Sequence, residues 1–220
     1  MVDLIRGLRA EQLAGNLARV REEIAATGRD PGSVEILAAV KYVPSEELPV
    51  LAEAGLELLG ENRAQDLIAK ADAHPDRFTW DFIGHLQSRK VRRLLPYVRY
   101  IHSVASDSAL AQLGRHGSAE TRVLVEVNVS QEEGKSGILP AELPAFLERC
   151  PVTVIGLMTM PPLASAPERS RPYFATLRQL AERHGLAELS MGTSQDYLVA
   201  VEEGATIVRL GTTLYASKAQ

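Results

Sequence analysis

The sequence predicts a (β/α)8 TIM barrel with an extra N-terminal helix, one α/β domain over residues 1–220, and three observations point to it. Short apolar, β-branched runs alternate eight times with helical stretches. The first run, residues 35–42, shows no polar alternation, which suits a strand buried on both faces in a parallel sheet. No Gly-x-Gly-x-x-Gly follows Val40, which argues against an open doubly wound sheet with a phosphate loop after its first strand.

Taken in order, Leu4, Leu8, Leu13, Leu17, Val20 and Ile24 recur at helical spacing with Arg and Glu between them, so a leading amphipathic helix over 4–26 is expected, stopped at Thr27-Gly28. Residues 1–28 thus form a helical preface packed on the barrel. The first strand ends at Lys41, and Pro44-Ser45-Glu46-Glu47 opens the next helix, with proline and acidic residues in its first turn and Gly55 at its end. The alternation then repeats. Strands are expected at 56–60, 79–84, 100–104, 122–128, 152–158, 188–191 and 206–210, with helices at 62–73, 87–95, 107–113, 140–149, 168–184 and 195–203 between them. The proline-rich run 161–167 reads as a mobile loop.

Composition narrows the function classes. With 24% charged residues, both signs interspersed and a net charge of -4, nothing attracts a polyanion, and the cluster Arg89-Lys90-Val91-Arg92-Arg93 reads as a solvated helix face. Nucleic acid is not an expected partner. Residues 1–6 carry charges inside their apolar stretch, and no run approaches the roughly 20 apolar residues that cross a bilayer, so neither a signal peptide nor a membrane is expected. Cys150 is the only cysteine, which is compatible with a reducing, cytoplasmic setting. His74, His85, His102, His116 and His184 show no metal-ligand spacing.

In a barrel, residues at the strands' carboxyl ends share one mouth. That collects Lys41, Asn62, His85, Asn128, Met158, Ser190-Met191-Gly192-Thr193-Ser194, Arg209, Gly211 and Thr212 as candidates. Barrel enzymes often bind phosphate after strands seven and eight through backbone N–H and small hydroxyl groups, and Ser190 to Ser194 and Gly211-Thr212-Thr213 supply these at both places. Each cluster alone reads as an ordinary turn. Lys41, partly desolvated at its strand end, suits Schiff-base formation with an aldehyde, although taken alone it reads first as a solvated lysine that ends a strand. A phosphorylated aldehyde held by the late loops would lie opposite it. Pyridoxal 5'-phosphate (PLP) meets that description, and Arg209 would then face its ring nitrogen and oppose protonation there; the other reading of Arg209 is a salt-bridged strand end.

The motifs Ala38-Ala39-Val40-Lys41, Leu59-Gly60-Glu61-Asn62-Arg63-Ala64-Gln65, Phe82-Ile83-Gly84-His85-Leu86-Gln87-Ser88-Arg89-Lys90, Lys135-Ser136-Gly137, Gly156-Leu157-Met158, Ser190-Met191-Gly192-Thr193-Ser194 and Val208-Arg209-Leu210-Gly211-Thr212 resemble those of the pyridoxal phosphate homeostasis proteins, also called proline synthetase co-transcribed homologues. The resemblance runs along essentially the whole chain. It implies a barrel similar to the N-terminal domain of alanine racemase, with PLP as an internal aldimine on Lys41. It further implies Arg209 at the ring nitrogen, Ser190, Gly192, Ser194, Gly211 and Thr212 at the phosphate, and Asn62, His85 and Met158 lining the site. The implied role is cofactor holding and supply in vitamin B6 balance, with apo PLP-dependent enzymes as partners and a monomer or weak homodimer as the working form. Three departures stand out: Val40 replaces a common serine or threonine, Thr193 a common methionine, and Asp81 a common histidine.

A racemase needs a second acid or base opposite the lysine, which alanine racemases take from a tyrosine on a separate β-domain. The sequence stops at Gln220 soon after the last strand, so that domain is not expected, and little or no catalysis is expected with it. Two alternatives remain: a racemase-like enzyme in which a residue such as His85 replaces that tyrosine, and a Schiff-base aldolase for a phosphorylated sugar.

Overall fold

The computed structural model describes residues 4–163 and 165–216. Eight parallel strands close into a barrel in chain order: β1 (Glu35–Ala39), β2 (Leu58–Glu61), β3 (Thr79–Phe82), β4 (Tyr100–Val104), β5 (Arg122–Glu126), β6 (Thr153–Met158), β7 (Glu188–Thr193) and β8 (Ile207–Leu210). Closure is made by β8 against β1, with Leu37 opposite Arg209. Helices α1 (Ala10–Ala26), α2 (Leu48–Glu53), α3 (Ala64–Ala73), α4 (Val91–Leu94), α5 (Asp107–His116), α6 (Leu143–Arg149), α7 (Arg171–Arg183), α8 (Tyr197–Glu202) and α9 (Thr212–Tyr215) surround it. The predicted fold class is therefore the observed one.

The leading helix differs from its expected extent. It begins at Ala10, and residues 4–9 form no helix or strand, with Ile5 against the cavity at the barrel mouth. Gly7 has φ +68°, outside the helical region, and its N–H and that of Leu8 donate to the Glu47 carboxylate at 2.8 and 3.0 Å. Ile5 N–H donates to the Tyr42 carbonyl at 2.8 Å. Helical periodicity continues into this stretch, but its backbone N–H groups are taken by Glu47, just before α2, and by the Tyr42 carbonyl. Met1, Val2 and Asp3, part of the predicted helical preface, lie outside the described residues, as does Ala164 of the proline-rich loop.

Strand boundaries shift by up to three residues, mostly by shortening. Strand β1 stops at Ala39, so Lys41 sits in the following turn, and β7 extends to Thr193. The basic segment after β3 folds as a short 3-10 turn and a four-residue α4, shorter than the expected helix over 87–95.

Two apolar layers result. The outer layer lies between strands and helices and includes Leu13, Val20, Leu51, Leu67, Leu113, Phe146 and Phe174. Inside the barrel, Leu37, Leu124, Met158 and Ile207 are buried apart from that layer. The rest of the interior is polar: Glu61, Asp81, His102, Glu126, Ser190 and Arg209 are all buried. Groups of this kind stay inside only when partnered, so the interior is held by hydrogen bonds and ion pairs as well as by packing.

Candidate functional site

A cavity of about 440 Å³ opens at the carboxyl ends of the strands. Its walls bring together Lys41 after β1, Asn62 after β2, His85 after β3, Met158 at the end of β6 and Arg209 of β8. Ser194, Gly211 and Thr212 complete one side. Eight of the ten residues that the family resemblance implies for the site thus line one cavity.

Lys41 is exposed, contrary to the partial desolvation expected at a buried strand end. The buried position is Val40, and Lys41 lies two residues beyond β1 with its Nζ 4.6 Å from the centroid of the Tyr42 ring. The peptide before it is fixed from below: Lys70 of α3 donates to the Val40 carbonyl at 2.7 Å and pairs with Glu61 at 2.7 Å. The other Glu61 oxygen accepts from the backbone N–H of Asn62 at 2.5 Å and of Arg63 at 3.2 Å. One buried ion pair therefore fixes the backbone on both sides of the β1–β2 end of the cavity. Across from Asn62, Gly84 is required by close approach, because a Cβ there would lie 1.9 Å from the Asn62 carbonyl oxygen.

Arg209, 5% exposed, forms the floor. One guanidinium nitrogen donates to the Ser190 carbonyl at 2.7 Å and to the Ser190 hydroxyl at 2.5 Å, and the other to the Thr159 carbonyl at 2.9 Å, with Met160 Sδ also at 2.9 Å. Burial lowers its pKa to about 10, with Asp196 and Glu126 opposing the shift, so the group is cationic at neutral pH. It is held by carbonyl and hydroxyl oxygens. The salt-bridged alternative is not what the structure shows.

The two late loops are cross-linked. The Ser194 hydroxyl accepts from the backbone N–H of Gly211 at 3.1 Å and of Thr213 at 3.2 Å. Thr193 is committed to Asp196, which accepts from its N–H at 2.8 Å and its hydroxyl at 3.1 Å.

Ser190 and Gly192 are not in the wall. Ser190 is fully buried behind Arg209, its hydroxyl shared with His102. Gly192 packs under α8, where a Cβ would lie 2.6 Å from that of Ala200. Both shape the loop from beneath. Asn128, the further candidate, is also buried away from the cavity, where its amide holds the following loop through Glu132 and Ser130.

Sequence reasoning missed Glu126, Tyr215 and the Asp81–His102 pair. Glu126 lines the cavity at the end of β5 and accepts from Ser136 Oγ at 2.5 Å. Tyr215 also lines it; its hydroxyl is buried with no hydrogen-bond partner among the described residues, and burial together with nearby Glu61 raises its pKa. The legible signal was a lone polar residue inside an apolar strand, as in Val-Leu-Val-Glu126 and Ile-His102. Among the described residues no cluster of three or more His, Cys, Asp or Glu could hold a metal, and no helix is long and apolar enough to cross a membrane.

No protein-family profile matches the chain. The pyridoxal phosphate homeostasis protein of Aquifex aeolicus is 39% identical over 222 residues, covering 94% of this chain and 97% of the relative. That of Escherichia coli is 31% identical, with 94% and 97% covered. The chain belongs to the pyridoxal phosphate homeostasis protein family. This family member is also similar in structure to PipY of Synechococcus elongatus, solved with PLP bound, at 32% identity and a TM-score of 0.77 over 93% of this chain and 100% of PipY. Alanine racemase from Corynebacterium glutamicum, 16% identical, superposes with a TM-score of 0.73 over 97% of this chain and 62% of the racemase. That likeness concerns the barrel alone.

Proposed function

We propose that this member of the family holds PLP in the barrel-mouth cavity, covalently through Lys41, and buffers or supplies it to apo PLP-dependent enzymes in the cytoplasm. It would do so as a monomer or weak homodimer, with little or no catalysis of its own. The observation that carries the reading is the convergence, in one cavity, of an exposed lysine amine, a buried guanidinium and a cross-linked pair of Ser/Gly/Thr loops. When bound, PLP supplies an aldehyde, a phosphate and a ring nitrogen. The donor set fits these groups: Lys41 supplies a nucleophilic amine, Ser194 and Thr212 supply small hydroxyl groups for the phosphate beside Gly211, whose N–H is given to Ser194, and Arg209 supplies a fixed cation for the nitrogen. Asn62, His85 and Met158 would line the remainder.

Two-base racemisation of an amino acid needs a second acid or base opposite the lysine. His85 is exposed at the rim, and the raised pKa of Tyr215 disfavours a phenolate at neutral pH. Both features favour holding over turnover. Incubation of the PLP-loaded protein with L-alanine in deuterated water tests this. The proposal expects α-proton exchange no faster than with free PLP; fast exchange lost in Lys41→Ala favours a racemase-like enzyme. Transfer of PLP from the loaded protein to an apo-enzyme tests the supply role.

A further inference from the structure

Beneath the cavity, a line of hydrogen bonds crosses the inside of the barrel from the neighbouring strands β3 and β4 to β7 and β8 on the other side. Asp81 of β3 faces His102 of β4, with Oδ2 to Nε2 at 3.0 Å. His102 Nδ1 lies 2.8 Å from the Ser190 hydroxyl of β7, and that hydroxyl accepts from Arg209 of β8 at 2.5 Å. At the other end, Arg99 clamps Asp81 through Nε at 3.1 Å and a terminal nitrogen at 2.7 Å, and itself pairs with Glu35 at 2.7 and 2.9 Å.

We infer that Asp81 and His102 are positioning residues for Arg209: through Ser190 they form a one-way hydrogen-bond chain that sets the direction in which the guanidinium faces the cavity.

Proton bookkeeping makes the chain one-way. Asp81 accepts from Arg99, from the Tyr100 N–H at 3.2 Å and from His102, so it has no role left as a donor. His102 Nε2 must carry the proton. Burial keeps the His102 pKa below its ordinary value, with Asp81 opposing that shift and Arg209 and Arg99 adding to it, so the ring is neutral and Nδ1 is an acceptor. Ser190 can then only donate to His102, which leaves its oxygen lone pairs for Arg209. In the opposite tautomer, the Nε2 lone pair would face the carboxylate, and the Ser190 oxygen would meet two donors. The order Asp–His–Ser invites comparison with a hydrolytic triad. Here, however, Ser190 and His102 are fully buried and the serine oxygen rests on a guanidinium, so the serine has no access to a substrate.

The Asp81 anion selects one tautomer of His102 and, through Arg99, ties the cavity floor to the base of the barrel. Arg209 is thereby restrained from two directions, by the backbone carbonyls of Ser190 and Thr159 and by a hydroxyl whose own orientation is dictated from behind.

The test has two arms. The first uses the protein without ligand and does not depend on the proposed function. Nitrogen-15 NMR is expected to show His102 protonated on Nε2 and slow rotation of the Arg209 guanidinium, with rotation accelerated in Ser190→Ala and His102→Asn. The second arm rests on the PLP reading and compares PLP with an analogue carrying carbon in place of the ring nitrogen. Ser190→Ala is expected to weaken PLP about five- to tenfold, the loss of one oriented hydrogen bond to a charged group, and to leave the analogue within about twofold. A proton on Nδ1 of His102, or guanidinium rotation unchanged in both variants, overturns the inference. So do equal losses for both ligands, which would mark a merely structural role. If the wild type bound neither ligand, the PLP reading would fail while the NMR arm still decided the inference.

Discussion

Lys70 donates to the carbonyl of Val40 at 2.7 Å, so the peptide that leads into Lys41 is clamped by a buried ammonium. The clamp works because Glu61, fully buried at 2.7 Å, neutralises that ammonium while its second oxygen caps the Asn62–Arg63 turn. Breaking such a pair leaves an uncompensated buried charge, so Lys70→Ala is expected to cost about 3–5 kcal/mol. Urea denaturation measures it, and a loss below about 1 kcal/mol would show that the pair does not hold the cavity wall.

Gly84 allows β2 and β3 to place Asn62 and His85 on adjacent walls. The atom an alanine would strike is a backbone oxygen, which cannot swing aside as a side chain can. Gly84→Ala is expected to destabilise by at least about 3 kcal/mol, at or beyond the upper end for overpacking, and to weaken ligand binding in whatever protein folds. Denaturant midpoint and equilibrium binding read the two effects separately.

Acid sensitivity follows from the buried chain. His102 is held below its ordinary value by burial, and Asp81 is held below its own because hydrogen bonds from His102 and Arg99 outweigh the effect of burial. In both cases the unfolded chain binds the proton that the fold excludes, so stability is full above the unfolded pKa and falls with pH. Loss is expected to begin near pH ~6.5 from His102 and to steepen below about pH 4 as Asp81 joins. His102→Asn is expected to lack the first leg, as measured by denaturant midpoints from pH 8 to pH 4.

Arg209 spreads two nitrogens over Ser190 and Thr159, a fork that a lysine ammonium cannot reproduce. Arg209→Lys is expected to retain the fold, lose about 1–3 kcal/mol of stability, and bind PLP about tenfold more weakly. Unchanged affinity, measured by fluorescence titration, would remove Arg209 from the site.

The barrel was legible because its signals are local and repeated: eight apolar runs, each bounded by turn residues, leave few other architectures. The cavity wall was legible for a related reason, since barrel closure brings every strand end to one mouth without any knowledge of packing. Ser190 and Gly192 fall outside the cavity lining for a reason the same logic does not see. They lie at the right strand, but β7 runs on to Thr193, so Ser190 is inside the barrel and not at its rim. Lys41 is expected to be desolvated because the apolar run reaches it, whereas the strand ends at Ala39 and burial stops at Val40, leaving Lys41 exposed. Partnership across the barrel, such as Ser190 with His102 at 88 residues' separation, has no sequence signature beyond a polar residue where an apolar one is expected. That signal was present at His102, Glu126 and Asp81, and reading it requires knowing what lies opposite.

Lys41 carries the central claim, and borohydride reduction of the PLP-loaded protein followed by peptide mapping tests it most directly. The expected result is a single phosphopyridoxyl group on Lys41, absent in Lys41→Ala, which should retain only weaker, phosphate-driven binding. No reducible adduct in the wild type, or the same adduct yield on other lysines after Lys41 is replaced, would contradict the account.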